Sequence, residues 1–430
     1  METPNATWDA ATSLTELDAL CRTAGLEPLE SISQKLQHAD PGHYVGKGKL
    51  AEVKERAAMI TADVIVTDDE LSPRSQKTLE EELGLRVIDR TTLILDIFAQ
   101  HARSHEGRVQ VELAQYEFLL PRLVGRGGML SRQGGGIGTR GPGETRLEFD
   151  RRRVRQRITA LKHEIEDIRE HRRRSAQRRR AQALPLAALV GYTNVGKSTL
   201  LTALTGSDAV AADAPFVTLD PLTRLMSLPG GQHVLVSDTV GFISKLPPTV
   251  VAAFRATLEE LHDASVLIHV VDVTDPRAAE CNAVVHDILR QLELNDKPMI
   301  TVLNKVDALP GMREEIESAN HDDPDTATAD ALASLEQPPD PDTVLVSARS
   351  GIGLETLRDR IAARIDAATP WLSARVPYDR TDLIDLFHRR GHPTRVEYGA
   401  DGTEIEGRIP ARFVERFRPF ILHHEKAAGS

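Results

Sequence analysis

Eight residues, GYTNVGKS from Gly191 to Ser198, have the types and spacing of a loop that binds phosphate. They follow the apolar run LPLAALV and precede TLLTALTG, so the loop joins a predicted strand to a predicted helix. Gly191 and Gly196 let successive backbone N–H groups curve around phosphates, Lys197 reaches the terminal phosphates and Ser198 can ligate Mg²⁺. The residues expected to line a nucleotide here are Gly191, Tyr192, Thr193, Asn194, Val195, Gly196, Lys197, Ser198 and Thr199.

Of two further stretches, one bears on Mg²⁺ and the γ-phosphate and the other indicates guanine as the base. DTVG begins at Asp238, after the strand-like HVLVS; Asp238 can hold a Mg²⁺ water, and the Gly241 backbone N–H can sense a γ-phosphate. NKVD begins at Asn304, after PMITVL. Asp307 can accept hydrogen bonds from N1–H and the exocyclic amino group of guanine, which adenine does not offer, while the Lys305 stem stacks along the base. Losing such paired polar contacts can cost on the order of 10⁴-fold in discrimination.

Two shorter stretches complete the predicted site. SAR, from Ser347 to Arg349, brings a backbone N–H to the guanine carbonyl, and FVTLDP supplies Thr218, which can close over the γ-phosphate and Mg²⁺ in the triphosphate state. The site therefore predicts GTP as the substrate and Mg²⁺ as the cofactor. The predicted metal ligands are Ser198, Thr218 and Asp238, and the predicted catalytic contacts are Lys197, Thr218 and Gly241. The remaining predicted nucleotide contacts are Phe216, Val217, Leu219, Thr239, Val240, Asn304, Val306 and Ala348.

Two residues bear on how hydrolysis proceeds. Phe242 follows DTVG, where many small GTPases place a glutamine that orients the attacking water. A phenyl ring cannot do this, so we expect slow hydrolysis until a partner completes the site; a supplied arginine can be worth roughly 10³–10⁵-fold. Asn194 stands where some GTPases hold K⁺ against the phosphates, and the alternative is an asparagine that is simply tolerated in a turn.

Positive charge is concentrated in one segment of an acidic chain. The formal net charge is -11, yet residues 151 to 180 contain thirteen Lys or Arg and four Asp or Glu, a local charge of +9 that leaves -20 for the rest. Such an element offers a directed contact to a polyanion, although a charge run can also be a solvated helix face. The glycine-rich stretch before it, residues 125 to 144, suits a flexible basic tip that meets RNA. The arginines in or just past this stretch are Arg126, Arg132, Arg140 and Arg146.

The composition is that of an ordinary globular protein of two to four domains, with 430 residues, 40% of them hydrophobic and 27% charged. The polar, acidic N-terminus does not resemble a signal peptide, and no apolar run approaches the ~18 residues that span a bilayer. Cys21 and Cys281 are too few for a disulfide framework or a thiolate metal cluster. These features predict a cytoplasmic protein without a membrane span, and we expect a monomer when it is free.

Four regions are predicted along the chain. They are an α/β subdomain with parallel strands (1–104), a basic antiparallel helical hairpin with a glycine-rich loop (105–182, loop 125–144), a mostly parallel, doubly wound sheet of the P-loop GTPase type with an acidic insertion (183–369, insertion 310–342), and a small α+β module (370–430). In the first region, ADVIVTDD and GLRVID are predicted strands around the helix SPRSQKTLEEEL. YVGKGKL, residues 44–50, lacks the full spacing of a phosphate loop, so we interpret it as a turn leading into a helix and predict no ATP site there.

Two apolar stripes predict the hairpin, because their members recur at helical spacing on either side of the glycine-rich loop. Facing stripes of this kind bury each other in an antiparallel pair of helices. The first stripe is Leu113, Tyr116, Leu120 and Leu123, and the second is Leu147, Val154, Ile158, Leu161, Ile165 and Ile168.

The chain resembles the HflX family of translational GTPases in GYTNVGKSTLLTALTG, FVTLDP, DTVGFI, NKVD and SAR, and in GGGIGTRGPGETRLEFDRRRVRQRI ahead of them. The match runs from about residue 40 to 370, and GPGETRLEFDRR is its most specific part. The acidic insertion departs from the family pattern in a surface loop, and the similarity weakens after residue 370.

The resemblance implies a factor that binds the large ribosomal subunit, with the hairpin reaching toward the peptidyl-transferase region, and that splits or rescues stalled ribosomes under stress in a GTP-dependent way. The implied ribosomal RNA contacts are the glycine-rich loop and Arg151, Arg152, Arg153 and Arg155. The alternative is a GTP-gated binding factor in large-subunit assembly or on a protein partner, with hydrolysis as a timer. A membrane-associated regulator of a protease is less favoured, because the sequence offers no amphipathic anchor or lipidation motif.

Overall fold

The computed structural model of the chain describes residues 8–35, 44–123, 142–182, 184–206, 215–216, 222–229, 232–245, 259–309, 342–367 and 369–425. Three predicted features lie outside the described residues, wholly or in large part: the glycine-rich loop through residue 141, the acidic insertion through residue 341, and Val217, Thr218 and Leu219. The side chains of residues 142–147, 172–173, 175–182, 259–260, 390, 411–412 and 424–425 are also outside the description.

The N-terminal region is a two-stranded parallel α/β unit. Its elements are α1 (Ala10–Thr23), α2 (Lys47–Met59), β1 (Val64–Thr67), α3 (Pro73–Leu83), β2 (Arg86–Asp89) and α4 (Arg90–His101). β1 and β2 pair in parallel with Val64 opposite Arg86, and α2 begins inside YVGKGKL, so the turn predicted there does lead into a helix. Ser72 caps α3 through its side chain and Asp89 caps α4 in the same way, which fixes where each helix begins.

A helical hairpin follows, formed by α5 (His105–Arg122) and α6 (Pro142–Gln182). The predicted stripes meet, because Leu113, Ile158, Leu161 and Ile165 are buried together with Val109. Arg157 makes two hydrogen bonds of 2.7 Å to Glu112 across the pair. Tyr116, Leu120 and Val154 pack at the edge of this core, and Leu123 and Ile168 are half-buried.

A six-stranded sheet forms the centre of the molecule. Its strands are β3 (Leu186–Gly191), β4 (Leu222–Ser227), β5 (His233–Asp238), β6 (Val266–Asp272), β7 (Met299–Asn304) and β8 (Thr343–Val346), and its helices are α7 (Lys197–Thr205), α8 (Ala278–Gln291) and α9 (Leu354–Ala367). The strand order is β4-β5-β3-β6-β7-β8, and β4 alone among the described strands of this sheet runs antiparallel. The predicted mostly parallel sheet is therefore confirmed. Its runs are nearly continuously apolar because both faces of such a sheet are covered.

A small antiparallel module ends the described chain, as predicted. Its elements are β9 (Trp371–Val376), α10 (Thr381–Arg390), β10 (His392–Gly399), β11 (Gly402–Arg408), α11 (Ala411–Phe417) and β12 (Ile421–Glu425). The sheet order is β10-β11-β9-β12, and Gly399 pairs with Gly402 across the predicted hairpin turn. Leu372, Phe387 and Phe417 belong to a core separate from that of the six-stranded sheet. Short 3₁₀ turns span Glu259–Asp263, Val306–Ala308, Tyr378–Arg380 and Arg418–Phe420.

The two cysteines are unpaired and shielded from solvent. Cys21 and Cys281 are both buried free thiols, and burial raises the pKa of Cys21 to about 11 and that of Cys281 to about 12. None of the described helices combines the length and the apolar character needed to cross a membrane.

The hairpin core generates a stability prediction. Leu161 is fully buried between α5 and α6, so Leu161→Ala should cost about 2–5 kcal/mol of local stability, because it leaves a cavity. Hydrogen–deuterium exchange in the intact chain should show faster exchange of α5 and α6. Leu119→Ala, at a position of α5 that is 41% exposed, is the matched control and should leave exchange nearly unchanged; equal exchange in both variants would contradict the proposed packing.

Candidate active site

The phosphate loop lies between the end of β3 and the start of α7, as predicted. Two glycines shape it: Gly191 has φ +155° and Gly196 has φ +93°. A methyl group on Gly191 would lie under 3.0 Å from the Val270 carbonyl oxygen, and one on Gly196 under 3.0 Å from Asn304 Nδ2. Because only glycine tolerates both the backbone angles and the close approach, these positions fix the path of the loop.

Lys197 is held inside this loop. Its side chain is buried, and Nζ donates hydrogen bonds to the carbonyl oxygens of Gly191 at 3.1 Å and Tyr192 at 2.6 Å. Burial lowers the pKa of Lys197 to about 8, while the nearby charge of Asp238 acts in the opposite direction. A desolvated ammonium of this kind gains free energy from a negative phosphate placed beside it.

The first two predicted Mg²⁺ ligands meet at the start of α7. The Ser198 hydroxyl donates a hydrogen bond of 2.6 Å to Asp238 Oδ2, and Asp238 is only 1% exposed at the end of β5. A hydroxyl and a carboxylate are oxygen donors of the kind that Mg²⁺ takes together with phosphate oxygens and water. The residues therefore fit the ion. The third predicted ligand, Thr218, lies outside the described residues.

The segment Gly241–Lys245 packs directly on the phosphate loop. A methyl group on Gly241 would lie 2.9 Å from Thr193 Cα and 3.0 Å from Lys197 Nζ. Phe242 N–H donates to the Gly191 carbonyl at 3.0 Å, and the Phe242 carbonyl accepts from Thr193 N–H at 2.8 Å. The Phe242 ring is 2% exposed, in the main core. A buried phenyl ring therefore occupies this position, and it offers no polar atom to orient a water.

NKVD and SAR are tied to the phosphate loop by the side chain of Asn304, one of the predicted nucleotide contacts. Asn304 Nδ2 donates to the Val195 carbonyl at 2.8 Å, and Asn304 Oδ1 accepts from Ala348 N–H at 3.0 Å. Asn304 thus links three loops. Lys305 Nζ donates to the Asn194 carbonyl at 3.1 Å and pairs with Asp272 at 2.6 Å.

The other predicted contacts on the base side are placed as follows. Asp307 is half-buried, and its carboxylate makes no hydrogen bond or ion pair with any residue that the structure describes. Ser347 is buried, and its hydroxyl accepts from Ser350 N–H at 3.1 Å. Arg349 is exposed. Val195, Val240 and Val306 are buried, Thr199 is half-buried, and Thr239 donates to the Leu189 carbonyl at 2.7 Å.

Two predicted contacts direct their side chains toward the N-terminal region. The Phe216 ring packs edge-on against Phe98 of α4, with centroids 4.6 Å apart. The Tyr192 hydroxyl donates to Glu16 of α1. Glu16 was not predicted from the sequence, because a single glutamate in a helix has no spacing that marks it as part of a site. Asn194 has φ +62°, a conformation that asparagine adopts more readily than most residues, so the turn favours asparagine at this position.

The close approach at Gly196 generates a binding prediction. Gly196→Ala should weaken GDP binding roughly 5- to 150-fold, because displacing Asn304 costs buried hydrogen bonds worth about 1–3 kcal/mol. Calorimetric titration with GDP measures this.

The matched control is Gly206→Ala at the end of α7. Gly206 has φ +64°, but a methyl group there meets no heavy atom within 4 Å, so the variant keeps the backbone strain without the collision. Its affinity for GDP should stay near that of the unmodified chain. If both variants bind GDP equally well, the contact with Asn304 does not shape the site.

Three family descriptions match consecutive parts of the chain. Residues 11–99 match GTP-binding GTPase N-terminal, residues 101–179 match GTP-binding GTPase Middle Region, and residues 186–305 match 50S ribosome-binding GTPase. The third match covers the phosphate loop, DTVG and the first half of NKVD.

Relatives extend the similarity over nearly the whole chain. GTPase HflX of Caldanaerobacter subterraneus is 43% identical over 95% of this chain and 90% of that protein. GTPase HflX of Escherichia coli is 38% identical over 87% of this chain and 84% of that protein. A solved GTP-binding protein from Sulfolobus solfataricus, in complex with GDP, is 27% identical, with a TM-score of 0.41 over 82% of this chain and 94% of that chain. With relatives this similar over nearly its full length, the chain belongs to the HflX family of GTPases, which bind and hydrolyse GTP.

Proposed function

We propose that this GTPase binds the large ribosomal subunit in the cytoplasm through α6 and the glycine-rich loop, and splits or rescues stalled ribosomes under stress. The observation that carries the proposal is a set of exposed arginines at the end of α6 nearest that loop. The family matched by residues 186–305 is described as ribosome-binding, and this description supports a ribosomal partner.

The arginines near the loop differ in how far they are already paired. Arg151 and Arg155 both lie near Glu148, at 3.7 and 3.4 Å. Arg152 is exposed and makes no ion pair with any residue that the structure describes. Arg153 is exposed and lies over the Phe149 ring, which is 59% exposed, at 5.9 Å. An arginine beside an exposed ring can contact a phosphate and stack on a base, so Arg152 and Arg153 are the strongest candidate contacts.

Within the GTP site we assign the following roles. Lys197 contacts the β- and γ-phosphates, Ser198 and Asp238 hold Mg²⁺ with Thr218, and Asp307 accepts hydrogen bonds from guanine. Mg²⁺ supplies positive charge that stabilises the phosphates as the bond breaks. The backbone N–H of Gly241 senses the γ-phosphate. We also assign K⁺ to the loop beside Asn194, at the phosphates.

The burial of Phe242 supports activation by a partner. Its ring is in the core, so the described residues offer no side chain here to orient the attacking water. The ribosome is then expected to complete the site or to fix the geometry of the Gly241–Lys245 segment.

Arginine replacement tests the RNA contact. The double variant Arg152→Ala/Arg153→Ala should lose most of the stimulation of GTP hydrolysis by large subunits, because it removes two phosphate contacts. The slope of log affinity against log salt should also fall by about 1 per lost contact. The matched control is Arg157→Ala, which removes an exposed α6 arginine that is already paired with Glu112. Equal loss of stimulation in both would contradict a specific role for the loop-proximal pair.

A second experiment separates splitting from binding alone. Joined ribosomes are incubated with the protein and GTP and then sedimented, and we expect the joined fraction to fall while free subunits rise. GDP in place of GTP should leave the joined fraction unchanged. Co-sedimentation with the large subunit and no change in the joined fraction would instead favour a GTP-gated binding factor in subunit assembly.

A further inference from the structure

We propose that the N-terminal region supplies positioning residues to the GTP site. Glu16 of α1 and Arg90 of α4 hold the Gly241–Lys245 segment and the phosphate-loop side chain of Tyr192 in the arrangement that receives a γ-phosphate. These contacts favour GTP over GDP. The proposal concerns the hydrolytic site alone and does not depend on the ribosomal function proposed above.

Tyr192 is the link between the phosphate loop and the segment. Its hydroxyl donates to Glu16 Oε1 and accepts from the Ser244 backbone N–H at 2.7 Å. The Ser244 hydroxyl in turn donates to Glu16 Oε2 at 2.8 Å. Glu16, Tyr192 and Ser244 are each less than 9% exposed, so water does not compete for these bonds. One carboxylate therefore fixes both a side chain of the phosphate loop and the backbone three residues after Gly241.

Arg90 fixes the carboxylate. Its guanidinium donates to Glu16 Oε2, to Asp68 Oδ1 at 2.7 Å and to the Ser244 hydroxyl at 3.3 Å. Burial lowers the pKa of Arg90 to about 10, so it stays charged at neutral pH. Lys245 then pairs with Asp68 and with Asp69, the latter at 2.7 Å. Buried charges resist displacement because separating them leaves an uncompensated charge, so Glu16 is a rigid anchor for the segment.

The segment is held where the γ-phosphate arrives. Gly241 lies against Lys197 Nζ, and Lys197 is the residue that reaches the terminal phosphates. A segment ordered in advance spares GTP the free energy of ordering it, as preorganisation does in binding generally. GDP has no γ-phosphate, so its binding does not require the Gly241–Lys245 segment to be ordered. Loss of the anchor should therefore weaken GTP binding more than GDP binding.

Two conservative variants test this, Tyr192→Phe and Glu16→Gln. The ratio of affinities for a GTP analogue with a non-hydrolysable β–γ bridge and for GDP should fall roughly 5- to 100-fold, the loss expected for one hydrogen bond to a buried charge. GDP affinity should change less than about twofold, since the phosphate-loop backbone is kept. KM for GTP should rise more than kcat falls. The double variant should resemble either single variant, because both break the same bridge.

Tyr378→Phe is the matched control, because it removes a tyrosine hydroxyl that donates to the Gly399 carbonyl at 2.7 Å, within the antiparallel module whose core is separate from that of the six-stranded sheet. It does not contact the phosphate loop and should keep the ratio of affinities. A merely structural role would lower the denaturation midpoint and both affinities alike, and an unchanged ratio in Tyr192→Phe would overturn the proposal. If Glu16→Gln does not fold, Tyr192→Phe decides alone, because it keeps the ring and removes one hydroxyl.

Discussion

The GTP site depends on how closely the phosphate loop approaches its neighbouring loops. Methyl groups on Gly191, Gly196 and Gly241 would each lie under 3.0 Å from an atom of another segment: the Val270 carbonyl, the Asn304 side chain and Thr193 Cα, respectively. These approaches bring the ends of β3, β5, β6 and β7 together at one edge of the sheet. Parallel strand order fixes that edge, where open α/β sheets place their ligands. The sheet therefore sets the distances between the phosphate loop and its neighbouring loops, which the loop residues could not maintain by themselves.

The second constraint is the burial of charged side chains on two sides of the phosphate loop. Lys197 is desolvated to the extent that its pKa falls to about 8, and the carbonyl oxygens of Gly191 and Tyr192 in its own loop accept hydrogen bonds from it. On the other side, Glu16 and Arg90 are both nearly fully buried. An unpaired charge at either place would be costly. Lys197 gains free energy when a negative phosphate binds beside it. Glu16 and Arg90 already neutralise each other, so they can serve as a fixed support for the loop.

The sequence predicted those parts of the fold that depend on contiguous residue patterns. The apolar runs ahead of the phosphate loop, DTVG and NKVD identified β3, β5 and β7, and glycine, lysine and serine at fixed spacing identified the phosphate loop. β4 was not named, because most of its residues are exposed and form no apolar run. The bond between Glu16 and Tyr192 joins residues 176 positions apart. No local pattern encodes such a contact, because it arises only when α1 packs on the sheet, and the same holds for the cross-link that Asn304 makes.

The burial of Phe242 connects these constraints. Its ring is anchored in the main core while its backbone pairs with the phosphate loop through both N–H and carbonyl. Gly241 therefore cannot shift without disturbing the contacts of Ser244 with Glu16. Arg90 begins α4, α4 ends at His101, and α5 of the hairpin begins at His105, so a short, continuous stretch of chain leads from the buried charges to the helical hairpin. A residue that cannot orient water thus ties the Gly241 backbone to the buried charges from which the chain leads into the helical hairpin.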